Sequence, residues 1–254
     1  ENIETTGLHY SVVDMTENDL RGAVIEKNVP VFSNCQEKLA ICFNNDKSNA
    51  WIVIKENVTG IYKAFKLSST GLDHNSIDSQ FDGFDYNSVF ASTFHMRFSP
   101  NGDYLAASHL KAGIELMKFN KETGTFYDHF ILLYADDQKE PKSIAFSPNS
   151  EVLYVQTIYY GANEIDKIEQ YDISVYDSIR VVDSRFQIEF DNTYDIQLAP
   201  DDKIYILSKE GFMGEDISVI NFPNLLGMNC DFEEFVIDLD PNNAAQFPDF
   251  FSNF

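Results

Sequence analysis

The chain has 254 residues, 44% of them hydrophobic and 14% aromatic, so it can bury a core and is not expected to be disordered. It carries 41 acidic and 18 basic residues, a formal charge of −23, which argues against binding to the phosphate backbone of nucleic acids. No stretch reaches the roughly eighteen apolar residues that a membrane helix needs, so we expect no membrane insertion.

Two predicted strands begin the chain, "YSVVDM" (10–15) and "AVIEKNVPVF" (23–32). The first residue is Glu1 rather than Met, and no signal-peptide pattern is present. We therefore expect that a further segment precedes Glu1.

The three cysteines, Cys35, Cys42 and Cys230, lack the spacing of a zinc site, since there is no CxxC and no nearby pair of histidines. Two alternatives stay open for Cys35 and Cys42. They form a disulfide if adjacent strands bring them together, or they are buried free thiols like most lone cysteines.

A strand–turn–strand pattern then occurs three times, as "MRFSPNGDYLAAS" (96–108), "IAFSPNSEVLYVQ" (144–156) and "IQLAPDDKIYILS" (196–208). In the first copy, Pro100 presets the turn and Gly102 tolerates a left-handed backbone, so the pattern predicts a hairpin. A degenerate earlier copy, "ICFNNDKSNAWIVI", aligns Phe43 with Phe98.

A second strand motif keeps step with the hairpins. Its equivalent positions, with spacings of 52, 54, 52 and 49, are Val13, Phe65, Phe119, Tyr171 and Ile220. Because two motifs repeat in phase about every fifty residues, the chain is predicted to be all-β, a β-propeller of four-stranded antiparallel blades. A parallel β-solenoid is the rival, but its rungs are usually shorter.

We predict one propeller domain over 1–254, with full blades at about 38–90, 91–138, 139–190 and 191–240. Residues before the first full blade supply only a third and a fourth strand, and the end, "AAQFPDFFSNF", resembles an innermost strand. The domain therefore begins and ends within a blade. Either its ends close a small ring, or it is an incomplete portion of a seven-bladed ring with blades upstream, the interpretation we favour.

The segments "GLHYSVVDM", "RFSPNGDYLAAS", "AFSPNSEVLYVQ" and "QLAPDDKIYI", followed by "VINFPNLLGMNCDFEEFVIDL" and "QFPDFF", occur in this order. They resemble the WD-repeat-like propellers of secreted Bacteroidetes proteins associated with gliding motility and type IX secretion. The usual final "GLPNF" of that family is replaced by "AQFPDF" here. The resemblance implies a secreted or cell-surface protein with further propeller sequence upstream, and it supplies no catalytic residues.

Candidate metal ligands are few. His95 and His109 flank one hairpin and would start a metal pair, although no third ligand is identifiable. Two acidic pairs stand out, Asp136 with Asp137 at a crossing between blades and Asp201 with Asp202 in a turn. A calcium-binding loop is predicted in "DHNSIDSQFDGFD", with ligands Asp73, Asp78, Asp82 and Asp85. A solvated connector is its alternative, and no other cofactor is expected.

The sequence contains no GxSxG, P-loop, HExxH or GxGxxG motif in its required context. Asp195 and Lys142, near the starts of innermost strands, are expected at the mouth of the central channel of the propeller. We therefore predict a non-enzymatic binding or scaffold module that holds a protein or glycan on the cell exterior.

Two other functions stay open. One is a propeller hydrolase, lactonase-like or glycan-cleaving. The other is a structural subunit of a surface assembly, completed by another chain or by the upstream blades. Any site is expected where the repeats differ, in connectors such as 73–90 and 157–167.

Overall fold

Antiparallel strands make up most of the regular structure. The computed structural model describes residues 7–57, 59–82, 93–109, 112–136, 138–160, 165–190, 192–209, 215–239 and 247. Within these residues, the strands form one two-stranded sheet and four larger sheets, each built from consecutive segments of the chain. The predicted all-β class is confirmed.

The first two sheets come from the beginning of the described chain. Sheet one pairs β1 (Leu8–Asp14) with β2 (Ala23–Phe32), and the short helix α1 (Glu17–Leu20) lies between them in sequence. Sheet two contains β3 (Cys35–Phe43), β4 (Ala50–Glu56), β5 (Tyr62–Ser68), β6 (Gly71–Leu72) and β7 (Ile77–Ser79).

Three four-stranded sheets follow. Sheet three contains β8 (Thr93–Phe98), β9 (Tyr104–His109), β10 (Gly113–Asn120) and β11 (Thr125–Tyr134). Sheet four contains β12 (Lys139–Phe146), β13 (Val152–Tyr159), β14 (Lys167–Asp172) and β15 (Phe186–Glu189), with α2 (Ser178–Asp183) before β15. Sheet five contains β16 (Thr193–Leu198), β17 (Ile204–Lys209), β18 (Glu215–Ile220) and β19 (Phe232–Leu239).

The repeated Ser-Pro-Asn turns are held by their own side chains. Ser99 Oγ donates to Asn101 Oδ1 at 2.7 Å and accepts from the main-chain N–H of Tyr104 at 3.0 Å. Ser147 makes the same two bonds in the next hairpin, to Asn149 and from Val152. Because both serines are fully buried, their hydroxyls satisfy turn groups that water cannot reach.

Apolar side chains pack between neighbouring sheets. Three buried clusters join sheet two to three, three to four and four to five, and each sheet therefore depends on its neighbours for its core. Members of the three clusters include Trp51 with Phe98, Leu116 with Leu153, and Ile168 with Ile206.

The first strands of the four larger sheets lie side by side, since β8 contacts both β3 and β12, and β12 contacts β16. The sheets therefore radiate from a shared centre, and the chain has a propeller-like fold. They span 35–79, 93–134, 139–189 and 193–239. The number of blades in a closed ring stays a prediction.

The structure decides between the two alternatives for the cysteines. All three thiols are free, and Cys35 and Cys42 lie on the same strand, β3. Seven residues of extended strand separate two Cα atoms by roughly 23 Å, far beyond the reach of a disulfide. The bridge that the sequence allowed is therefore not formed.

Candidate functional site

Polar side chains occupy one repeated position on three neighbouring inner strands. In the alignment of the repeats, His95 on β8, Ser143 on β12 and Asp195 on β16 are equivalent, and all three side chains are buried. Because β12 packs between β8 and β16, these positions meet at the centre of the fold. We call His95, Arg97, Ser143 and Asp195 the channel cluster.

The Asp195 carboxylate is held by three donors. Ser143 Oγ donates to Oδ1, the main-chain N–H of Ile196 donates to the same oxygen at 2.9 Å, and that of Phe247 donates to Oδ2 at 2.9 Å. Burial raises the pKa of Asp195, and the hydrogen bond from Ser143 opposes this rise. A carboxylate with a raised pKa and a fixed position has the properties of a general base.

His95 is 2% exposed, and its Nε2 atom has no hydrogen-bond partner among the described residues. Nε2 lies 3.8 Å from Asp195 Oδ1, too far for a direct hydrogen bond. Burial, together with the positive charges of Arg97 and Lys38, lowers the pKa of His95 to about 3. The imidazole is therefore neutral at physiological pH.

The neighbour of His95 determines which ring nitrogen carries the proton. Arg97 Nη2 lies 3.5 Å from His95 Nδ1, and a guanidinium can only donate. Nδ1 is consequently the acceptor, and Nε2 carries the hydrogen that faces Asp195. The channel cluster thus combines a carboxylate base, a neutral imidazole N–H donor and a guanidinium, which can move a proton and stabilise a developing negative charge.

A second buried polar cluster joins sheets two and three. Glu115 Oε2 accepts from Tyr62 Oη, lies 2.9 Å from His109 Nε2 and 3.4 Å from Lys55 Nζ, while Oε1 lies 3.3 Å from His129 Nε2. Burial alone would raise the pKa of Glu115, but its interactions with His109 and Lys55 hold that pKa well below its usual value. We interpret this cluster as structural, because Lys55, His109 and Glu115 are fully buried between blades.

The two histidines of the proposed metal pair belong to different clusters. His95 lies with Asp195, whereas His109 lies with Glu115 and its Nδ1 is 3.3 Å from Thr93 Oγ1. In the part of the chain that the structure describes, no three His, Cys, Asp or Glu side chains form a group that could hold a metal ion.

The predicted calcium loop is only partly described, since Asp85 lies outside the described residues. Asp73 Oδ1 accepts from the main-chain N–H of Asn75 at 2.9 Å, Asp78 accepts from Lys63 Nζ at 2.7 Å, and Asp82 is exposed. Asp73 and Asp78 thus have separate protein partners, and calcium binding by this loop stays a prediction.

The chain is thus an all-β, propeller-like protein with a polar cluster where its inner strands meet. No protein-family model matches the sequence, and no match was found among curated proteins. No helix in the described part of the chain is long and apolar enough to cross a membrane.

Solved structures share the fold at low identity. An oligogalacturonate lyase in complex with manganese matches with a TM-score of 0.55 and 11% identity, over 91% of this chain and 60% of that one. A protein from Lactobacillus plantarum matches with a TM-score of 0.52 and 14% identity, over 90% of this chain and 65% of that one. A candidate 6-phosphogluconolactonase from Bacteroides fragilis matches with a TM-score of 0.42 and 20% identity, over 72% of this chain and 49% of that one. The chain thus spans less than two thirds of each of these structures.

These findings correct the predicted function. A non-enzymatic binding or scaffold module was expected because the sequence lacks a catalytic motif, whereas a solved structure of similar fold, the oligogalacturonate lyase, is described as an enzyme. The enzymatic alternative agrees better with this finding than the binding module does. The solved structures give no support to the WD-repeat and secretion-system resemblance beyond the propeller-like fold.

The sequence identified only part of the channel cluster. Asp195 was expected near the channel and is there, while Lys142 is half-buried on β12. Arg97 and Ser143 were missed because Arg97 lies inside the repeated motif and Ser143 directly before it, and the motif was assigned to turn geometry. One sequence signal could have identified the cluster: a single aligned position is His, Ser and Asp in successive copies. A buried position with a purely structural role would be expected to hold apolar residues instead.

Proposed function

We propose that this chain forms the channel site of a propeller enzyme that hydrolyses a carbohydrate lactone, by general-base attack of water. The observation that carries the proposal is the pairing of Asp195 with a neutral His95. Burial raises the pKa of Asp195, and His95 Nε2, which has no hydrogen-bond partner among the described residues, lies 3.8 Å from Asp195 Oδ1. The oligogalacturonate lyase of similar fold supports enzymatic activity by analogy alone.

In this mechanism Asp195 accepts a proton from water, and the resulting hydroxide attacks the lactone carbonyl. The His95 Nε2–H and the Arg97 guanidinium stabilise the oxyanion of the tetrahedral intermediate. Collapse of the intermediate breaks the ring C–O bond, and the proton on Asp195 passes to the alkoxide that leaves. Water and lactone thereby become a hydroxy acid, and Asp195 regains its charge.

The channel cluster favours lactone hydrolysis over hydrolysis of a glycosidic bond. It contains one carboxylate, whereas most glycosidases use two carboxyl groups about 5–9.5 Å apart. His95 and Asp195 are 2% and 1% exposed, so proton transfer to and from Asp195 is shielded from bulk water. Entry of a substrate requires the surrounding side chains to move.

We further propose that the enzyme acts on the cell exterior. The support is the resemblance of its hairpin and strand motifs to secreted propellers, together with an acidic surface that keeps such a protein soluble.

The test is a hydrolysis assay of the purified protein with glucono-1,5-lactone and glucaro-1,4-lactone, followed as acid release above the buffer rate. Asp195→Asn and His95→Ala should each lower kcat/KM by about a hundredfold or more, since each removes a proton-transfer or oxyanion-stabilising group. The matched control is His9→Ala, which removes an exposed histidine. Equal rates for all variants, or no rate above buffer with either lactone, would refute the proposal.

A further inference from the structure

The inner strands carry a second polar layer beside His95, Ser143 and Asp195. Side chains two residues apart on a strand share a face and lie roughly 6.6 Å apart along it. Arg97 follows His95 on β8, and Gln197 follows Asp195 on β16. In the repeat alignment the position between them, on β12, is Ala145. The second layer therefore consists of two long polar side chains on either side of a short one.

These residues line one cavity. Arg97, Ala145 and Gln197 surround a space of about 10 Å³, together with Pro100 and apolar neighbours. That volume holds one oxygen atom, so a single oxygen of a ligand enters this space while the rest of the ligand stays outside it. The small side chain of Ala145 leaves this space open, because a longer residue at the same position would fill it.

Gln197 is the second observation that indicates a ligand. Its side chain is 6% exposed, and neither its Nε2 nor its Oε1 has a hydrogen-bond partner among the described residues. Burying an amide with both polar atoms unsatisfied is strongly unfavourable. Such a group is expected to have a partner in the functional state.

The donors of the second layer indicate the kind of ligand. The positive charge of Arg97 helps to lower the pKa of His95 and opposes the rise in the pKa of Asp195, so it acts on both neighbouring groups. A guanidinium can only donate hydrogen bonds, and these are strongest with an anionic oxygen. An anionic oxygen of a ligand therefore suits this position.

We propose that Arg97 and Gln197 form a subsite for a carboxylate group of a sugar acid, one step along the channel from the reacting bond. The Arg97 guanidinium and the Gln197 amide N–H would donate to the carboxylate, and Gln197 Oε1 would accept from the neighbouring sugar hydroxyl. A carboxylate with an adjacent hydroxyl would therefore give a hydrogen-bond partner to both polar atoms of the Gln197 side chain. The inference rests on the proposed function, because it names the class of substrate for the same channel.

Binding measured by calorimetry tests the subsite without turnover. D-galacturonate, which has no lactone bond, should bind at least about tenfold more tightly than neutral D-galactose. Arg97→Gln and Gln197→Leu should each remove most of this difference, whereas Arg180→Gln, an equal charge change at an exposed position, should retain it. Thermal melting of each variant confirms that it is folded, and the two variants provide independent tests if one does not fold.

The outcomes separate failure of the carboxylate subsite from failure of the proposed lactone hydrolysis. Equal binding of galactose and galacturonate, or wild-type binding by both folded variants, would overturn the subsite. Tighter binding of D-galactose 6-phosphate than of galacturonate would assign it to phosphate instead of carboxylate. If galacturonate binds as expected but no lactone is hydrolysed, the subsite stands and the proposed reaction fails; hydrolysis without galacturonate binding gives the reverse result.

Discussion

Single residues distinguish two buried carboxylates that occupy equivalent positions in successive blades. Glu115 pairs with Ala107 across β9 and β10, and Glu169 pairs with Val155 across β13 and β14. Glu115 interacts mainly with cationic or titratable groups. Glu169 accepts instead from neutral donors, Thr157, Tyr159, Tyr171 and Gln187, with Arg185 3.6 Å away. The same position therefore has a different electrostatic role in each blade.

This difference predicts unequal effects of one substitution. Glu115→Gln leaves the buried Lys55 without its counter-charge, so we expect a loss of about 3–5 kcal/mol in the free energy of unfolding. Urea denaturation at pH 7 measures it. Glu169→Gln is the matched control and should cost less, because tyrosine and threonine hydroxyls can reverse and donate to or accept from an amide. Equal losses would contradict the electrostatic explanation.

At the scale of the element, the three hairpin turns share a left-handed residue. The φ angles of Gly102, Ser150 and Asp202 are +74°, +64° and +62°. Glycine adopts this conformation without strain, while the side chains of the other two residues resist it. The third turn is also one residue shorter, since Leu198 pairs with Ile204 whereas Phe98 pairs with Leu105.

Asp202→Gly should therefore stabilise the protein by about 0.5–1 kcal/mol, measured as a rise in the midpoint of urea unfolding. Asp202 is exposed, so little contact is lost. The matched control is Asp201→Gly, one residue earlier, which removes the acceptor of the 2.8 Å hydrogen bond from Tyr205 Oη. That variant should lose about 1 kcal/mol. Stabilisation by both substitutions would show that the left-handed backbone is not the cause.

At the scale of the whole molecule, the buried histidines determine how stability depends on pH. The pKa values of His95 and His109 are both lowered from 6.5, mainly by burial, and that of His95 to about 3. Below pH 6.5 the unfolded chain binds protons that the folded chain does not. Stability from these groups is therefore present above pH 6.5 and is lost as the pH falls. The raised pKa of Asp195 opposes part of this loss.

The free energy of unfolding should accordingly fall between pH 6.5 and pH 4.5, by up to about 1.4 kcal/mol per pH unit for each such histidine. Urea unfolding at several pH values measures the slope. His109→Gln should reduce it, while His9→Gln, at an exposed position, should leave it unchanged. A slope that is the same in all three proteins would exclude His109 as a contributor.

Much of the architecture was predictable because it depends on neighbours in the chain. Proline and serine in the turns, and alternating apolar residues beside them, indicate hairpins wherever they occur. The alignment of the degenerate copy was less accurate. Phe43 was matched to Phe98, yet Phe43 is 39% exposed, and it is Cys42 that packs in the buried cluster with Phe98. A shift of one residue in the alignment exchanges the two faces of a strand. The degenerate copy lacks the Ser-Pro-Asn turn that would have fixed the alignment.

The sequence by itself determined the repeat, the antiparallel blades and the absence of any local catalytic motif, since all three are properties of short segments. Only the tertiary structure decided that His95, Ser143 and Asp195 meet, and that Arg97 and Gln197 share a cavity beside them. His95, Ser143 and Asp195 lie 48 and 52 positions apart along the chain, and they come together because neighbouring sheets bury their apolar faces against each other. That packing brings the inner strands side by side, and no local pattern records which side chains it places in contact.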